Sequence, residues 1–248
     1  MLKIGFLGAG EMAHGILSAI PERKQVLLSS VEDNRNAEIA ASCELIFLAV
    51  RPQNVEEVAA EVKPLLSAHQ TLVSIVAGRS IASLRKAFGN KVKIIRVMPN
   101  LCLKAGEGMC ALTASASVRK SAAFAEVQKI LGKAGKTIVL PERAFDAVTA
   151  LSGSGPAYFA YMQKCMEKAG TELGLDKKVA ALLAAQTMYG TAKYLRESAI
   201  DLDKFIAGVC TKGGTTDAGM KHLSRPVFYS AVRSTLFAAS ARSAELGR

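Results

Sequence analysis

The stretch Lys3 to Leu17 reads KIGFLGAGEMAHGIL, and it constrains the fold more than any other part of the chain. A short apolar strand, Lys3 to Leu7, runs directly into Gly8-Ala9-Gly10-Glu11-Met12-Ala13 and then into a helical pattern. This is G-x-G-x-x-A in a strand–turn–helix setting, the arrangement in which a βαβ unit receives the pyrophosphate of a dinucleotide. Gly8 permits the tight turn, Gly10 lets the backbone approach the phosphates, and Ala13 keeps the helix close to the strand. The helix N-terminus then faces the negative charge. Leu7, Ala9, Glu11 and Met12 belong to the same candidate cofactor-binding turn. On the triplet alone, a plain tight turn is the alternative.

The pattern beyond the turn fits a nucleotide unit. Apolar strands are expected at Val26 to Ser30, Leu45 to Val50, Thr71 to Ile75 and Ile94 to Val97, with helices around Asn54 to Leu66 and Ser80 to Phe88. Strands alternating with helices predict a parallel, doubly wound sheet of the α/β class. Two more strands, Gly108 to Thr113 and Thr137 to Leu140, flank a helical run from Val118 to Gly132. After Pro141 the texture changes, and from Ala144 onward only alanine-rich helical patterns follow. Ser154 is expected to cap a helix with Pro156 in its first turn. Gly174 and Asp176 mark a stop and a new start, and Lys177 to Arg196 forms the next helix, with Val179, Leu182, Leu183 and Gln186 on one face. Shorter helices cover Leu202 to Val209 and the residues after Gly214, and Arg225 to Leu246 closes the chain. The expected domains are 1–142, which binds the nucleotide, and 143–248, which is all-helical.

Composition narrows the function classes. The five cysteines are dispersed and never spaced as C-x-x-C, which fits a reducing cytoplasm and offers neither a zinc site nor a disulfide frame. The longest strongly apolar run, LIFLAV at Leu45 to Val50, is too short to cross a bilayer, so no membrane partner is expected. Met1-Leu2-Lys3-Ile4 leads straight into the glycine turn, with no charged-then-apolar leader. The net charge of +11 is spread along the chain, without a basic block interleaved with aromatics, which argues against a nucleic-acid partner.

Five loops carry further chemistry. Ala49-Val50-Arg51-Pro52-Gln53 follows one strand, Ala77-Gly78 the next, and Met98-Pro99-Asn100 the one after. All three lie at the carboxyl edge, where doubly wound sheets bind ligands, and together they would wall the nicotinamide half of a cofactor. Ordinary strand–helix turns are the alternative. The helical part contributes LSGSGPAY, Leu151 to Tyr158, and VCTKGGTTDAG, Val209 to Gly219. Small residues and hydroxyls ahead of a helix make a nest of backbone N–H groups suited to a carboxylate. A close helix crossing at Gly153-Ser154-Gly155 and a flexible turn at Gly213-Gly214 are the plainer readings.

LGAGEMA, AVRPQ, VMPN, LSGSGPAY and GGTT, in this order and spacing, resemble the pyrroline-5-carboxylate reductase family, which catalyses the last step of proline synthesis. The resemblance spans Lys3 to about Glu245. It implies an N-terminal Rossmann-type domain and an all-α dimerisation domain, with a homodimer that can build larger rings. It also implies an active site between the nucleotide domain of one subunit and helices of its dimer partner, and a small cyclic imine as substrate. Reduction of an imine needs a hydride at carbon and a proton at nitrogen. The imine can be protonated beforehand, so no strong protein acid is required, and His14, His69 and His222 lie outside the motif loops.

By the same resemblance, Thr216 sets its hydroxyl against the ring nitrogen and is the catalytic candidate. Backbone groups from Thr211 through Gly213 and Gly214 to Thr215 hold the substrate carboxylate, and Ser154, in LSGSGPAY, is a further substrate-binding candidate. Glu197 stands near a glutamate that similar sequences carry ahead of the GGTT turn. The chain departs from the family at Leu101-Cys102, where a Thr-Pro pair is usual, and at Thr211-Lys212, where Ser-Pro is usual. A β-hydroxyacid dehydrogenase would place a lysine where Phe159 stands, which argues against that alternative. A nucleotide-binding scaffold that has lost the reaction is a further one.

Cofactor choice turns on SSVEDNRN, Ser29 to Asn36. On spacing alone, Glu32 or Asp33 is the acid that holds a ribose hydroxyl and implies NAD. Aligned with similar chains, Ser29 and Ser30 end the second strand and accept a ribose 2′-phosphate without repulsion. Asn34 then matches an asparagine brought to that phosphate, and Arg35 adds charge. NADPH is therefore the expected cofactor, with NADH as the alternative. Similar chains also carry a helix and a linker between the serine pair and Val31. A parallel strand cannot follow another without a crossover of about a dozen residues. Either the sheet has lost a strand and a helix, with Val31 to Glu44 as the crossover and a short helix near Asn36 to Ser42, or a segment is missing from the chain.

Overall fold

The computed structural model describes residues 2–21 and 25–247. The first part alternates β1 (Lys3–Leu7), α1 (Glu11–Leu17), β2 (Gln25–Ser29), α2 (Asn36–Ser42), β3 (Leu45–Leu48), α3 (Val55–Val62), β4 (Thr71–Ser74), α4 (Ile81–Phe88) and β5 (Lys93–Met98). It continues through β6 (Gly108–Ala114), α5 (Ala116–Arg119), α6 (Ala122–Lys133) and β7 (Gly135–Val139). Helices α7 (Phe145–Val148), α8 (Gly155–Glu172), α9 (Lys177–Ser198), α10 (Leu202–Val209), α11 (Thr215–Leu223) and α12 (Pro226–Leu246) follow. The chain forms two compact units, one holding the residues up to Pro156 with those from Leu236 onward, the other Ala157–Thr235.

In the first unit, seven strands among the described residues form one sheet in the order β2-β1-β3-β4-β5-β6-β7. The pairs from β2 to β5 are parallel. Their side chains alternate between two apolar layers, as a sheet covered on both faces requires. Ile4, Phe6, Leu45 and Phe47 face a layer built with α1, α5 and α6. Leu7, Ile46 and Leu48 face one built with α2, α3 and α4. Phe6 and Phe47 stack with centroids 4.7 Å apart. Each of these fully buried side chains contributes about 1.5–3 kcal/mol relative to an exposed one.

Three local expectations are corrected. The sheet is not parallel throughout, because β6 runs antiparallel to β5. The nine residues between Met98 and Gly108 are too few for a parallel crossover, whereas α5 and α6 supply one to β7. The helical run from Val118 divides, because Ser121 starts α6 anew by accepting the Phe124 N–H at 3.3 Å. Ser154 does not cap α8. A π-helical turn over Thr149–Gly153 carries the backbone from α7 into α8, and the Ser154 N–H donates to the Thr149 carbonyl at 2.9 Å. No frayed helix start remains there to be capped, and the wide turn accommodates Pro156, which has no N–H to give.

At the sheet's outer rim, the usual doubly wound order sets two strands beyond β1. Among the described residues only β2 lies outside it, and the path from β2 to β3 holds α2 alone.

In the second unit, Gly174 at φ +98° ends the first helix, and Asp176 caps α9 by accepting the Lys178 N–H at 2.8 Å. Small residues bring α8 and α9 together, and a Cβ on Gly170 would stand 3.3 Å from that of Ala180. Large apolar side chains remain uncovered, among them Tyr161, Leu182, Tyr189 and Tyr229, each more than 60% exposed. The face of α9 carrying Val179, Leu182 and Leu183 is exposed as well. So much apolar surface marks a unit that packs against another chain. Among the described residues, no helix is long and apolar enough to cross a membrane.

Candidate active site

The glycine turn after β1 is shaped by two constraints. Gly8 sits at φ +104°, and a Cβ there would lie 2.7 Å from the Ala49 carbonyl oxygen, so the turns after β1 and β3 touch backbone to backbone. The Gly8 N–H donates to Ser29 O at 3.1 Å and the Ala49 N–H to Leu7 O at 2.8 Å, which locks both turns to the strand ends. Gly10 is different. Its φ of −74° suits any residue, and a Cβ there would meet nothing within 4 Å. The fold does not need this glycine, whereas a ligand approaching the backbone does.

A cavity of about 430 Å³ opens beside the turn. Of the expected cofactor residues it gathers Gly8, Ala9, Gly10, Ser29, Ser30, Asn34 and Val50. The Ser29 hydroxyl is buried and accepts the Arg35 N–H at 3.0 Å, so it holds the loop from below. Ser30 sits at the rim, where its hydroxyl donates to Glu32 Oε2 at 3.2 Å and accepts the Asp33 N–H at 3.0 Å. Asn34 Oδ1 accepts the Asn36 N–H at 3.0 Å.

The other cofactor candidates lie outside this cavity. Leu7 is core, and Met12 and Ala49 pack against the layer beneath α1. Glu11 pairs with Lys104, whose ammonium holds the Glu11 carboxyl below its usual range. Arg51 is exposed, and the Pro52 carbonyl takes Arg79 Nη2 at 3.0 Å. Arg79 also pairs with Glu56 at 2.9 Å and so joins the loop after β4, with Ala77, to the loop after β3. Met98 and Asn100, on either side of Pro99, lean on the π turn. Asn100 Nδ2 donates to Ser152 Oγ at 3.4 Å, its Oδ1 accepts the Met109 N–H at 3.2 Å, and a Cβ on Gly153 would strike Met98.

Behind these loops, Arg96 on β5 is 5% exposed. Its Nη1 donates to Glu142 Oε1 at 3.0 Å, and its guanidinium lies 4.6 Å over the Phe145 ring. The same Glu142 oxygen accepts the Ile81 N–H at 2.7 Å, tying the start of α4 to β5.

In the second unit, Thr211 to Gly214 form a turn into α11, with Gly213 at φ +77°. The Gly214 N–H donates to Thr211 O at 2.8 Å and the Gly213 N–H to Asp217 Oδ2 at 3.0 Å. Those two donors are therefore spent inside the turn. The intrahelical bonds of α11 begin with Ala218 to Gly214 O, which leaves the N–H groups of Thr215 and Thr216 without helical acceptors. Lys221 bonds the same Asp217 oxygen at 2.9 Å, and the two contacts hold the Asp217 carboxyl below its ordinary range. Glu197 is exposed on the last turn of α9, and among the described residues no hydrogen bond or ion pair joins it to this turn.

Comparison with known proteins gives this arrangement a family. A pyrroline-5-carboxylate reductase of Synechocystis is 34% identical, over all of this chain and 99% of its own. One from Pseudomonas aeruginosa is 33% identical over 98% and 96%. The chain belongs to the pyrroline-5-carboxylate reductase family. The family model for pyrroline-5-carboxylate reductase dimerisation matches residues 142–246, and one described as NADP oxidoreductase, coenzyme F420-dependent, matches residues 3–78. A crystal structure of the Plasmodium falciparum reductase with NADP bound superposes with a TM-score of 0.91 at 29% identity, covering 100% of this chain and 98% of that one.

Within a pyrroline-5-carboxylate reductase frame, the chain's departures fall into two groups. Leu103, in the unusual LCLK run, is buried beneath α1, while Lys104 carries the Glu11 pair. Lys212 stays exposed on the α11 turn. Sequence reasoning missed Glu57 and Glu61, which line the cavity from α3. They stand at i and i+4 on α3, beside Val58 on the cavity wall and directly after the AVRPQ loop, and that spacing was a usable signal.

Proposed function

We propose that the chain reduces 1-pyrroline-5-carboxylate to L-proline with NADPH, NADH being the alternative donor. The observation that carries this is the full-length match to reductases of that name in a chain that keeps both the phosphate turn and the GGTT turn. The cofactor fits the first unit, because Gly10 leaves clear space at the backbone and the cavity beside it is large enough for the adenosine half. When bound, it supplies the hydride.

The rest of the work falls to the chain's own groups. The Thr215 and Thr216 N–H groups, at the positive end of α11, take the substrate carboxylate. Thr211 and the backbone of Gly213 and Gly214 set that turn, and Asp217 fixes it. The Thr216 hydroxyl lies against the ring nitrogen, where it orients the imine and its proton. Ser154 and Glu197 complete the candidate substrate shell. Catalysis rests on positioning, together with dipoles that favour the charged imine, rather than on a strong acid. The uncovered apolar face of the helical unit supports a homodimer, and rings of dimers extend the same proposal. The five unbridged cysteines support a cytoplasmic location.

The test is a steady-state assay of the intact protein with NADPH and pyrroline-5-carboxylate, following loss of nicotinamide absorbance and formation of proline. Proline formation at the rate of cofactor oxidation is expected. Tight cofactor binding without turnover of this imine would overturn the reaction.

A further inference from the structure

The loops after β4 and β5, expected to wall the nicotinamide half of the cofactor, both connect to the last turns of α12. Ser243 there is 2% exposed, and its hydroxyl donates to Asp146 Oδ1 on α7 at 2.7 Å. Gly78, in the loop after β4, sits at φ +77°. A Cβ on it would lie 2.7 Å from the Leu246 Cβ and 2.9 Å from the Ser243 carbonyl oxygen. A Cβ on Gly247 would in turn strike the Gly78 carbonyl. Two glycines thus let the end of α12 and this loop meet backbone to backbone.

The loop after β5 is reached through α7. That helix has four residues and runs directly into the wide π turn over Thr149–Gly153. Neither a single helical turn nor a π turn is stable by its own hydrogen bonds, so the position of both depends on what they touch. Ala147 and Ala150 face Ala241 and Ala244 across a cavity of about 580 Å³, so apolar packing does not close that gap. The Ser243–Asp146 bond spans it, and a hydroxyl donating to a carboxylate makes one of the stronger hydrogen bonds. What it steadies is the turn that takes Asn100 Nδ2 on Ser152 Oγ and packs Gly153 against Met98. None of Gly78, Asp146, Ser243, Leu246 and Gly247 lines the cavity beside the glycine turn, where the adenosine half fits.

We infer that Ser243 is a positioning residue for the nicotinamide half of the cofactor. Through Asp146 it holds the π turn against Met98 and Asn100, and beside Leu246 it fixes Gly78, so that both loops present one set geometry to the hydride donor. The adenosine half is held elsewhere and does not depend on it. The inference rests on the proposed function in placing the nicotinamide at these two loops.

The experiment measures dissociation constants on the full-length protein by calorimetry, without imine, for NADPH and for adenosine 2′,5′-bisphosphate, which carries the adenosine end alone. In Ser243→Ala and in Asp146→Ala, NADPH is expected to weaken by about tenfold, the effect of losing one hydrogen bond to a charged group, while the bisphosphate stays within about twofold of the parent. Asp146→Asn keeps an acceptor for the serine hydroxyl and should restore most of the NADPH affinity. A ratio of the two constants unmoved in Ser243→Ala overturns the inference. Equal weakening of both ligands overturns it too, because a serine that only supports the fold would loosen both ends together. Should Ser243→Ala fail to fold, Leu246→Ala, which trims the contact with Gly78 and leaves the hydrogen bond in place, decides by the same ratio. Because no imine is present, failure of the parent to make proline would sink the proposed reaction and leave this ratio to decide the inference.

Discussion

Removing Glu142 should destabilise the nucleotide unit well beyond what a half-exposed glutamate suggests. In Glu142→Ala the Arg96 guanidinium, 5% exposed, loses its carboxylate, and the Ile81 N–H loses the acceptor it meets at 2.7 Å. Stranding one member of a buried ion pair costs about 3–5 kcal/mol, and a buried donor left without an acceptor about 1–3 kcal/mol. The Glu142 side chain is 35% exposed, so water replaces part of both contacts. The Phe145 ring also keeps its hold on the cation. The net expectation is a loss of about 2–4 kcal/mol. Urea unfolding read through the midpoint and slope measures it, with protein concentration held fixed because subunit association shifts the midpoint. The double variant Arg96→Met, Glu142→Gln removes the stranded charge and should lose less than Glu142→Ala. A single variant within about 0.5 kcal/mol of the parent would refute the reasoning. So would a double variant no milder than the single one.

Two further outcomes follow from the turns. Gly8→Ala forces a side chain into φ +104° against the Ala49 carbonyl, so it should lower stability by about 1–3 kcal/mol and weaken cofactor binding at least as strongly, both readable by thermal unfolding and titration. Asp217→Asn should loosen the α11 turn and raise the KM for the imine while leaving cofactor affinity unchanged. The Asp217 carboxyl has a folded pKa below its ordinary 3.8, so its stabilising contribution is complete above that value and disappears as pH falls through the lower folded one. The stability difference between Asp217→Asn and the parent should therefore vanish in acid and persist at neutral pH.

Much of the fold was legible because its signals are local. The strand at Lys3 to Leu7, the helix at Leu202 to Val209 and the Gly174–Asp176 break depend on alternation, capping and φ, all written within a few residues. The short helix at Asn36 to Ser42 could be placed because a parallel crossover needs something to span it. Less legible features depend on partners far away in the chain. Ser154 carries every mark of an N-cap, yet the π turn before it depends on how Met98 and Asn100 pack against Thr149–Gly153. The antiparallel β6 follows from counting the residues after Met98, a constraint that strand propensity does not contain. In the site, Gly8 and Gly10 were readable from the motif and the serine pair from the resemblance, whereas Glu57 and Glu61 look like solvated helix charges until α3 is folded against the turn. The face of α9 with Val179, Leu182 and Leu183 reads as core by periodicity, yet it lies exposed.

The position of β2 at the rim bears on how such chains change length. Its outer backbone edge has no partner strand among the described residues, and Val26, Leu27 and Leu28 are only half covered. Alignment with the Synechocystis reductase spans 268 positions, more than the 248 residues of this chain. A rim strand can be gained or lost without renumbering any neighbour inside it, since β1 keeps β2 on one side and β3 on the other. At such a rim, length can change like a leaf added to a table, with the phosphate turn at the hinge left untouched.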